Sequence, residues 1–397
     1  MAGEMARAGG RWFRRLIAIA LVLAIGAFLA WRFVRPLNIF VISPAFERPI
    51  AVGELPVGLA SLRAEACGEC HQAEYDEWRS SMHSRAWTDP YFQVDWRFEG
   101  SEQICRNCHT PLEDQQEHRV LGFRDTEKWD PILEPNPRFD QALQQEGVTC
   151  SACHLREGAI LGPYGDSAAP HAVRRIEPNQ VCVRCHVVSG KRWDTFYRVP
   201  PCGTVAEIES AGIAVPDCVG CHMPEIARPL VANGPVRNAR RHLWRGGHDR
   251  DTVRSALAAT LREERTTYGT RRYALTLVNA GTTHYLPTGT PDRHLTVSLR
   301  VLDAAGAVLD EQEHTLRRTV MWRPFIVDLW DTRLPFATPR SYSIEFPAAD
   351  RRPASVEVVV RYHLLDEARR RRIGYRNVEP IAYEIFRERR LIILDRQ

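Results

Sequence analysis

Five short segments of this chain repeat the pattern Cys-x-x-Cys-His within residues 67–222. On a short helix, residues three apart lie on one face, so two thiols can reach the two vinyl groups of one porphyrin. The histidine, four residues after the first cysteine, shares that face and presents a ring nitrogen to an iron. This is the signature of c-type haem attachment, and five copies predict five covalently attached haem c groups. The predicted cofactor-binding residues are Cys67, Cys70, His71, Cys105, Cys108, His109, Cys150, Cys153, His154, Cys182, Cys185, His186, Cys218, Cys221 and His222.

The cysteine count favours haem over the other uses of paired cysteines. Ten of the eleven cysteines lie in the motifs, and only Cys202 is left over. A disulfide framework has no reason to place a histidine after every pair. Zinc ribbons also use C-x-x-C pairs, but normally in a reducing compartment and without that histidine. Cys202 is either an idle thiol or an axial iron ligand, and the sequence leaves both open.

Each c-type haem iron usually needs a second axial ligand, and methionine cannot supply five. Met1 and Met5 precede the apolar N-terminal run, and Met223 directly follows a motif histidine. Only Met82 and Met321 are then left. Fourteen histidines minus the five in the motifs leave nine, so bis-histidine ligation is expected, with lower potentials than Met/His ligation.

Spacing restricts which histidines can serve the same iron. His83 follows His71 by 12 residues, roughly 18 Å along a straight helix, so it is expected to bind a different haem. His242 and His248 are six residues apart and would serve two haems, unless one of them is spare. Three histidines in strand-like stretches are interpreted as structural: His294, His314 and His363. His118 lies in a highly polar stretch and is not counted among the ligands.

The N-terminus carries a basic region followed by an apolar run. The run is about as long as a bilayer core requires, and the excess of arginines before it favours a cytoplasmic N-terminus. A cleaved signal peptide is the alternative. Because bacteria attach c-type haem outside the cytoplasmic membrane, the rest of the chain is expected in the periplasm. The predicted segments are 1–15 cytoplasmic, 16–34 transmembrane anchor in the bacterial cytoplasmic membrane, and 35–60 extended, proline-containing linker.

Residues 61–250 are expected to form a mainly α, loop-rich pentahaem domain. Leu, Ile, Val and Phe make up about 19 per cent of residues 67–222. This share of large apolar residues is too low for side chains alone to form a hydrophobic core. Five porphyrins would fill that interior instead. Residues 72–87 contain no Gly or Pro and predict one amphipathic helix.

Residues 251–397 are expected to form an antiparallel β-sandwich. Apolar residues alternate with polar ones over 273–277, 295–301, 342–346 and 356–362. The sequence Asp-Ala-Ala-Gly at 303–306 separates two of these runs as a hairpin turn would. Before them, Asp251–Glu264 predicts a helix.

Several elements besides the motifs have a family resemblance. Residues 77–86 read EWRSSMHSRA, residues 242–249 read HLWRGGHD and residues 284–289 read HYLPTG. Together with residues 108–112, 147–150, 170–171 and 221–224, they resemble elements of the multihaem cytochromes grouped with the tetrahaem cytochrome that accepts electrons from hydroxylamine oxidoreductase. The resemblance covers residues 64–340. It implies distal iron ligation by His83, His171, His242, His248 and His284, beside the motif ligands His71, His109, His154, His186 and His222.

Two functions are compatible with these features. The favoured one is a membrane-anchored periplasmic electron carrier between a membrane donor, such as quinol or a quinol-oxidising complex, and a redox partner protein. The alternative is a multihaem oxidoreductase in which one haem with an open coordination position acts on a small nitrogen or sulfur compound. The net charge of only +4 gives no reason to expect a nucleic acid partner.

Overall fold

The structure is a computed structural model, and it describes residues 2–34, 48–124, 130–165, 171–186, 195–196, 203–214, 217–264 and 269–393. Cys202 and residues 35–47 of the predicted linker lie outside these ranges, and the predictions made for them stay predictions.

A long helix, α1, covers Ala2–Val34. Its segment Trp12–Phe33 has a mean hydropathy of 2.3, and 6% of its most apolar stretch is buried against the rest of the chain. The segment is long and apolar enough to cross a membrane. A signal sequence has the same properties, so this finding leaves the anchor and the signal peptide both open.

The part of the chain that carries the motifs combines short helices with short strands. In chain order these are α2 (Ala64–Gly68), α3 (Gln72–Arg79), α4 (Pro90–Phe98), α5 (Gln103–His109), β1 (His118–Phe123), β2 (Pro131–Pro135), α6 (Gln141–Gln145), α7 (Cys150–His154), β3 (Leu155–Arg156), β4 (Ala159–Gly162), β5 (Val173–Arg175), α8 (Pro178–His186), β6 (Thr195–Phe196), α9 (Thr204–Ser210), α10 (Cys218–His222), β7 (Glu225–Pro229) and β8 (Val236–Arg240).

The prediction of a mainly α fold is not confirmed, because helices make up 29% of the chain. The segments between and after the motifs pair into small sheets: β1 with β2, β3 with β4, β4 with β5, and β7 with β8. These pairings give the backbone of polar, Pro- and Gly-containing segments its hydrogen-bond partners where long helices cannot form.

The C-terminal part contains α11 (Arg250–Ala256), β9 (Leu257–Glu264), β10 (Thr270–Asn279), β11 (His294–Leu302), β12 (Val308–Met321), β13 (Ile326–Asp331), β14 (Arg340–Pro347), β15 (Ser355–His363), α12 (Glu367–Arg372) and β16 (Ala382–Leu391). One sheet has the order β14-β10-β9 and the other β16-β15-β11-β12-β13-β6. Except for the β13–β6 pairing, the neighbouring strands are antiparallel.

The inward faces of the two sheets share one apolar core, as the alternating pattern predicts. Leu275 of β10, Leu295 of β11 and Val358 of β15 are all fully buried in it. The turn predicted at residues 303–306 does connect β11 to β12. The antiparallel sandwich is therefore present.

The helix predicted over Asp251–Glu264 is wrong beyond Ala256. From Leu257 onward the chain is strand β9, which pairs with β10 along its whole length. Leu257 and Leu261 are four residues apart, a spacing that suits one face of a helix as well as alternate positions of a strand. Pairing with a long neighbouring strand decides in favour of the strand.

The helix predicted over residues 72–87 is also shorter than expected, because α3 ends at Arg79. The hydroxyl of Ser84 donates to the carbonyls of Arg79 (3.1 Å) and Ser81 (2.9 Å). Serine side chains that bond to the backbone in this way compete with helical hydrogen bonds. The tight turns that follow α3 carry His83.

The two parts of the chain are joined by more than the connecting segment. Strand β6 extends the larger sheet of the sandwich by pairing parallel to β13. At another place, Arg369 of α12 forms ion pairs with Asp95 (2.6 Å) and Glu99 (2.5 Å) at α4, and Tyr91 packs against Tyr375. The sandwich is thus held against the motif-carrying part.

Candidate haem-binding site

Short helices carry the motifs. In the second to fifth motifs all three functional residues lie on α5, α7, α8 and α10. The first motif begins on α2 and ends at His71, the residue that caps α3. A Cβ on Gly68 would lie 2.8 Å from the Tyr75 ring, so the tight approach of these two helices requires glycine there.

The structure places four motif histidines opposite four histidines from distant parts of the chain. In each case the imidazole ring centres are 6.1–6.4 Å apart. The pairs are His71 with His171 (6.4 Å), His83 with His186 (6.4 Å), His154 with His242 (6.1 Å) and His222 with His284 (6.4 Å).

These separations fit an iron held between two imidazoles. A metal–nitrogen bond is about 2.0–2.1 Å, and about 1.1 Å separates the ring nitrogen from the ring centre, which for two rings requires about 6.3 Å. Direct stacking of two rings would bring them closer; the rings of His294 and His363, which stack in the sandwich, are 4.2 Å apart. The donor set and its spacing therefore suit haem iron.

Four of the five motif histidines are oriented by backbone carbonyls. Nδ1 of His71 donates to Leu230 (2.9 Å), and Nδ1 of His154 donates to Leu161 (2.8 Å). His109 and His222 make the same bond, to Ala86 (2.6 Å) and Arg245 (2.9 Å). Since a carbonyl only accepts, Nδ1 carries the proton and Nε2 keeps the lone pair that a metal needs.

Burial keeps three of the facing histidines neutral. It lowers the pKa of His83, His242 and His284 to about 4. At neutral pH their rings are therefore uncharged, which is the form that ligates iron. Protons do not compete for the coordinating nitrogen under physiological conditions.

Residues 147–148 contact the backbone of His83 and fix its position. The Val148 amide donates to the His83 carbonyl (2.9 Å), and the Trp78 indole donates to the Val148 carbonyl (2.8 Å). Gly147 has φ +61°, and a Cβ on it would lie 2.7 Å from the His83 carbonyl oxygen. Only glycine allows this approach without displacing the His83 turn.

His242 is fixed by a group of charges at α3. Its amide donates to Glu77 (2.8 Å), which also forms an ion pair with Arg228 (2.8 Å). Burial alone would raise the pKa of Glu77, but the hydrogen bonds from Arg228 and His242 outweigh it and lower the pKa. The carboxylate is therefore charged and anchors the His242 backbone, while Nδ1 of His242 donates to the Arg240 carbonyl (2.9 Å).

The segment of His284 is attached to α9 through a buried ion pair, Glu207 with Arg333 (2.6 Å). Glu207 is 1% exposed and Arg333 3%. Glu207 also accepts from the Tyr285 amide (3.1 Å) and from the Thr288 hydroxyl (2.6 Å). Because α9 belongs to the motif-carrying part, this cluster connects the sandwich to it directly beside His284.

One motif histidine, His109, has no histidine ring facing it among the residues that the structure describes. The ring of Phe92 stacks on it instead, with centres 3.6 Å apart and an angle of 6° between the planes. His248, the remaining histidine expected as a distal ligand, is exposed. The structure does not bring His109 and His248 together.

Motifs far apart in sequence are neighbours in space. The thiol of Cys67 lies beside that of Cys150, where α2 contacts α7, which joins the first motif to the third. The same contact joins Cys108 to Cys185, in the second and fourth motifs. It also joins Cys182 to Cys218, in the fourth and fifth.

Sequence reasoning missed several residues of the site. Phe92 contacts His109, and the Trp244 ring packs edge to face with His83 (4.9 Å) and His242 (5.2 Å). Glu207 and Arg333 position the His284 segment. A single aromatic or charged residue has no sequence pattern that marks it as part of a site. Of these four residues, only Trp244 lies in a segment with a family resemblance, residues 242–249.

The remaining histidines lie on strands. His118 begins β1, and the His314 ring contacts Tyr342 at 4.5 Å. His294 and His363 stack on each other. Within the described ranges, no cluster of three or more His, Cys, Asp or Glu side chains could hold a bare metal ion.

The chain is similar to known cytochromes in sequence and fold. The family model described as "Cytochrome c554 and c-prime" matches residues 66–130. The crystal structure of a penta-heme cytochrome c552 from Thermochromatium tepidum has a TM-score of 0.62 with this chain at 20% identity, covering 85% of this chain and 100% of that one. A search of curated protein sequences finds no match.

Several other structural matches cover a smaller region of the chain. A glycosyl hydrolase family 2 member from Bacteroides cellulosilyticus matches with a TM-score of 0.18 at 13% identity, over 34% of this chain and 13% of that one. A TM-score this low does not indicate a shared fold or function. The cytochrome comparisons, together with the motifs, support a multihaem c-type cytochrome with haem c as its cofactor.

Proposed function

We propose that this protein is a membrane-anchored, extracytoplasmic pentahaem electron carrier. The observation that carries the proposal is the set of four histidine pairs with ring centres 6.1–6.4 Å apart. An iron with two protein ligands has no position left for a substrate, and it changes redox state with little rearrangement. Such irons are suited to electron transfer.

The proposed cofactor set is five haem c groups on the five motifs. Haem c, when attached, supplies an iron that cycles between the ferrous and ferric states. The residues that would hold the irons are the five motif histidines and four histidines that face them. These four are His171 opposite His71, His83 opposite His186, His242 opposite His154 and His284 opposite His222. For His248, predicted as the fifth distal ligand, no facing motif histidine supports the assignment.

Continuity between the attachment sites is the second argument for electron transfer. The thiol contacts connect the first motif with the third, and the fourth with both the second and the fifth. The third and fourth are close enough for Cys185 to act electrostatically on Cys153. The five attachment sites therefore form one connected group, as electron relay across the domain requires.

The proposed location follows from α1 and from where haem c is attached. The apolar segment Trp12–Phe33 would hold the protein at the cytoplasmic membrane, with the haem-binding part and the sandwich in the periplasm. Redox proteins would be its soluble partners, and quinol or a quinol-oxidising complex its membrane donor.

A specific observation favours a second candidate function, an oxidoreductase acting at the haem of the second motif. Within the described residues, no histidine ring faces His109, whose ring instead stacks on Phe92. An iron bound there would keep a free position, where a small nitrogen or sulfur compound can bind.

Protein-film voltammetry of the purified protein tests the proposed function. An electron carrier gives reversible waves, and nitrite, hydroxylamine or tetrathionate leaves them unchanged. A catalytic current with one of these compounds would favour the oxidoreductase instead. The mass of the denatured protein tests the cofactor set separately, because it must exceed the polypeptide mass by five haems.

Carbon monoxide binding to the reduced protein tests the coordination at His109. One carbon monoxide per chain is expected if that iron has an open position, and none if all five irons have two ligands. Phe92→Leu is the matched variant, since it removes the stacked ring but no ligand. If binding occurs at the second haem, this substitution is expected to change its rate.

A further inference from the structure

Large apolar side chains are exposed at one end of the sandwich. Trp322, Leu329 and Trp330, in or beside the β12–β13 hairpin, are 39%, 47% and 56% exposed, and Phe196 of β6 is 58% exposed. A β-bulge leaves Leu329 without a cross-strand partner, which allows it to be exposed next to Trp330. Clustered exposed aromatic residues of this size mark interaction surfaces.

This hairpin end is bonded to the C-terminal end of the apolar helix. Nε of Arg32 donates to the Pro324 carbonyl (3.1 Å), and Arg323 donates to the Phe33 carbonyl (2.8 Å). Arg32 is 1% exposed, and its guanidinium lies over the Phe325 ring. The hairpin turn therefore sits at the level where the apolar segment ends.

The length of the helix determines where that level is in a membrane. The 22 residues of Trp12–Phe33 span about 33 Å, close to the thickness of a bilayer core. If Trp12 lies at one interface, Trp31 and Phe33 lie at the other. Tryptophan is enriched at both interfaces, where its ring lies among the headgroups and its edge reaches the acyl chains.

We infer that the β12–β13 hairpin end, with Phe196, is a membrane-contact surface that inserts into the outer leaflet interface beside the apolar helix. The inference rests on the proposed membrane anchor. Continuity with the spanning segment and the mixture of tryptophan with arginine select a lipid surface over a protein partner. With two contact points, the helix and the hairpin, the sandwich and the haem-binding part keep a defined orientation to the bilayer.

Photolabelling of the full-length haem-loaded protein tests this inference. The protein is reconstituted in phosphatidylethanolamine–phosphatidylglycerol vesicles that contain a phospholipid with a diazirine on its acyl chain. After irradiation, tryptic peptides are analysed by mass spectrometry. Residues 16–32 report the helix, residues 319–333 report the hairpin, and residues 301–317, which include the other end of β12, are the internal reference.

Labelling of both the helix and hairpin peptides, above the reference, supports the inference. Labelling of the helix peptide alone overturns the membrane contact of the hairpin and leaves the anchor intact. If neither peptide is labelled, the proposed anchor fails and the inference fails with it. A hairpin that binds a protein partner would remain unlabelled in these lipid-only vesicles.

Substitutions provide the matched control. Trp322→Ser with Trp330→Ser is expected to reduce labelling of the hairpin peptide to the level of the reference peptide. Val308→Ser, at the exposed start of β12, is expected to change nothing. The visible spectrum of each variant must match that of the parent, so that loss of labelling is not caused by misfolding. Unchanged labelling of the double variant would contradict the assignment to these side chains.

Discussion

Removing the carboxylate of Glu207 is expected to release the His284 segment from the haem-binding part. In Glu207→Ala, Arg333, the Tyr285 amide and the Thr288 hydroxyl all lose their common partner. Removing one member of a buried ion pair typically costs about 3–5 kcal/mol, because a charge remains buried without its partner. Arg333 keeps Asp331 at 2.7 Å, so we expect the lower end of that range, about 3 kcal/mol.

Two measurements distinguish positioning from simple destabilisation. Guanidinium unfolding gives the free energy of unfolding. Carbon monoxide binding to the reduced protein, far below the unfolding midpoint, reports whether the haem on His222 has lost its distal ligand. We expect one more carbon monoxide per chain in Glu207→Ala than in the parent. Glu311→Ala, which breaks the half-exposed pair with Arg300 (2.7 Å), is the control and should cost less than about 1 kcal/mol.

Two further variants separate the loss of the carboxylate from the effect of a buried unpaired charge. Glu207→Gln keeps the shape and an acceptor oxygen, so it should lie between the parent and Glu207→Ala in both measurements. Replacing the pair together, Glu207→Leu with Arg333→Met, should cost less than Glu207→Ala alone, because no buried charge is left unpaired. A Glu207→Ala protein that unfolds like the parent, or that is destabilised without binding additional carbon monoxide, would refute the positioning role.

Three further predictions concern other parts of the structure. His83→Ala should convert one low-spin haem to a five-coordinate one in the visible spectrum, whereas His118→Ala should not; an unchanged spectrum removes His83 from the ligands. Gly147→Ala should shift the His83 turn and cost about 1–2 kcal/mol of backbone strain plus the clash, more than Gly212→Ala, which has φ +80° but open space around it; equal costs in guanidinium unfolding would contradict this. Burial, followed by the charge of the neighbouring histidine, lowers the pKa of His363 to about 4, so between pH 6.5 and 4 the unfolded chain binds the proton and the folded chain does not. The free energy of unfolding should therefore fall over that range, by up to about 3 kcal/mol, and His363→Gln should remove this part of the fall; parallel pH profiles for the two proteins would speak against it.

The features that depend on local spacing could be predicted from the sequence. The motif helices follow from cysteines three residues apart, and the sandwich follows from alternating runs such as residues 295–301, whose apolar side chains are all buried. The separation of His71 from His83 excluded a shared iron, and the structure indeed places His83 against His186. These results need only the geometry of helices and strands.

Features that depend on distant partners could not be predicted. The small sheets between the motifs form because neighbouring polar segments satisfy each other's backbone, which no single segment reveals. Glu207 and Arg333 look like ordinary surface residues in the sequence, and only their contact across 126 positions makes them a buried pair. Similarly, the residues of β9 predict a helix, because the pairing of this segment with β10 is not visible in its own sequence.

The order of the histidine pairs along the chain has a topological consequence. Iron bonds between the paired rings would close loops from 71 to 171, 83 to 186, 154 to 242 and 222 to 284, and each loop starts before the previous one ends. Any single cut between residues 71 and 284 therefore falls inside at least one closed loop. A chain cut once would therefore remain in one piece for as long as the iron–imidazole bonds stay intact.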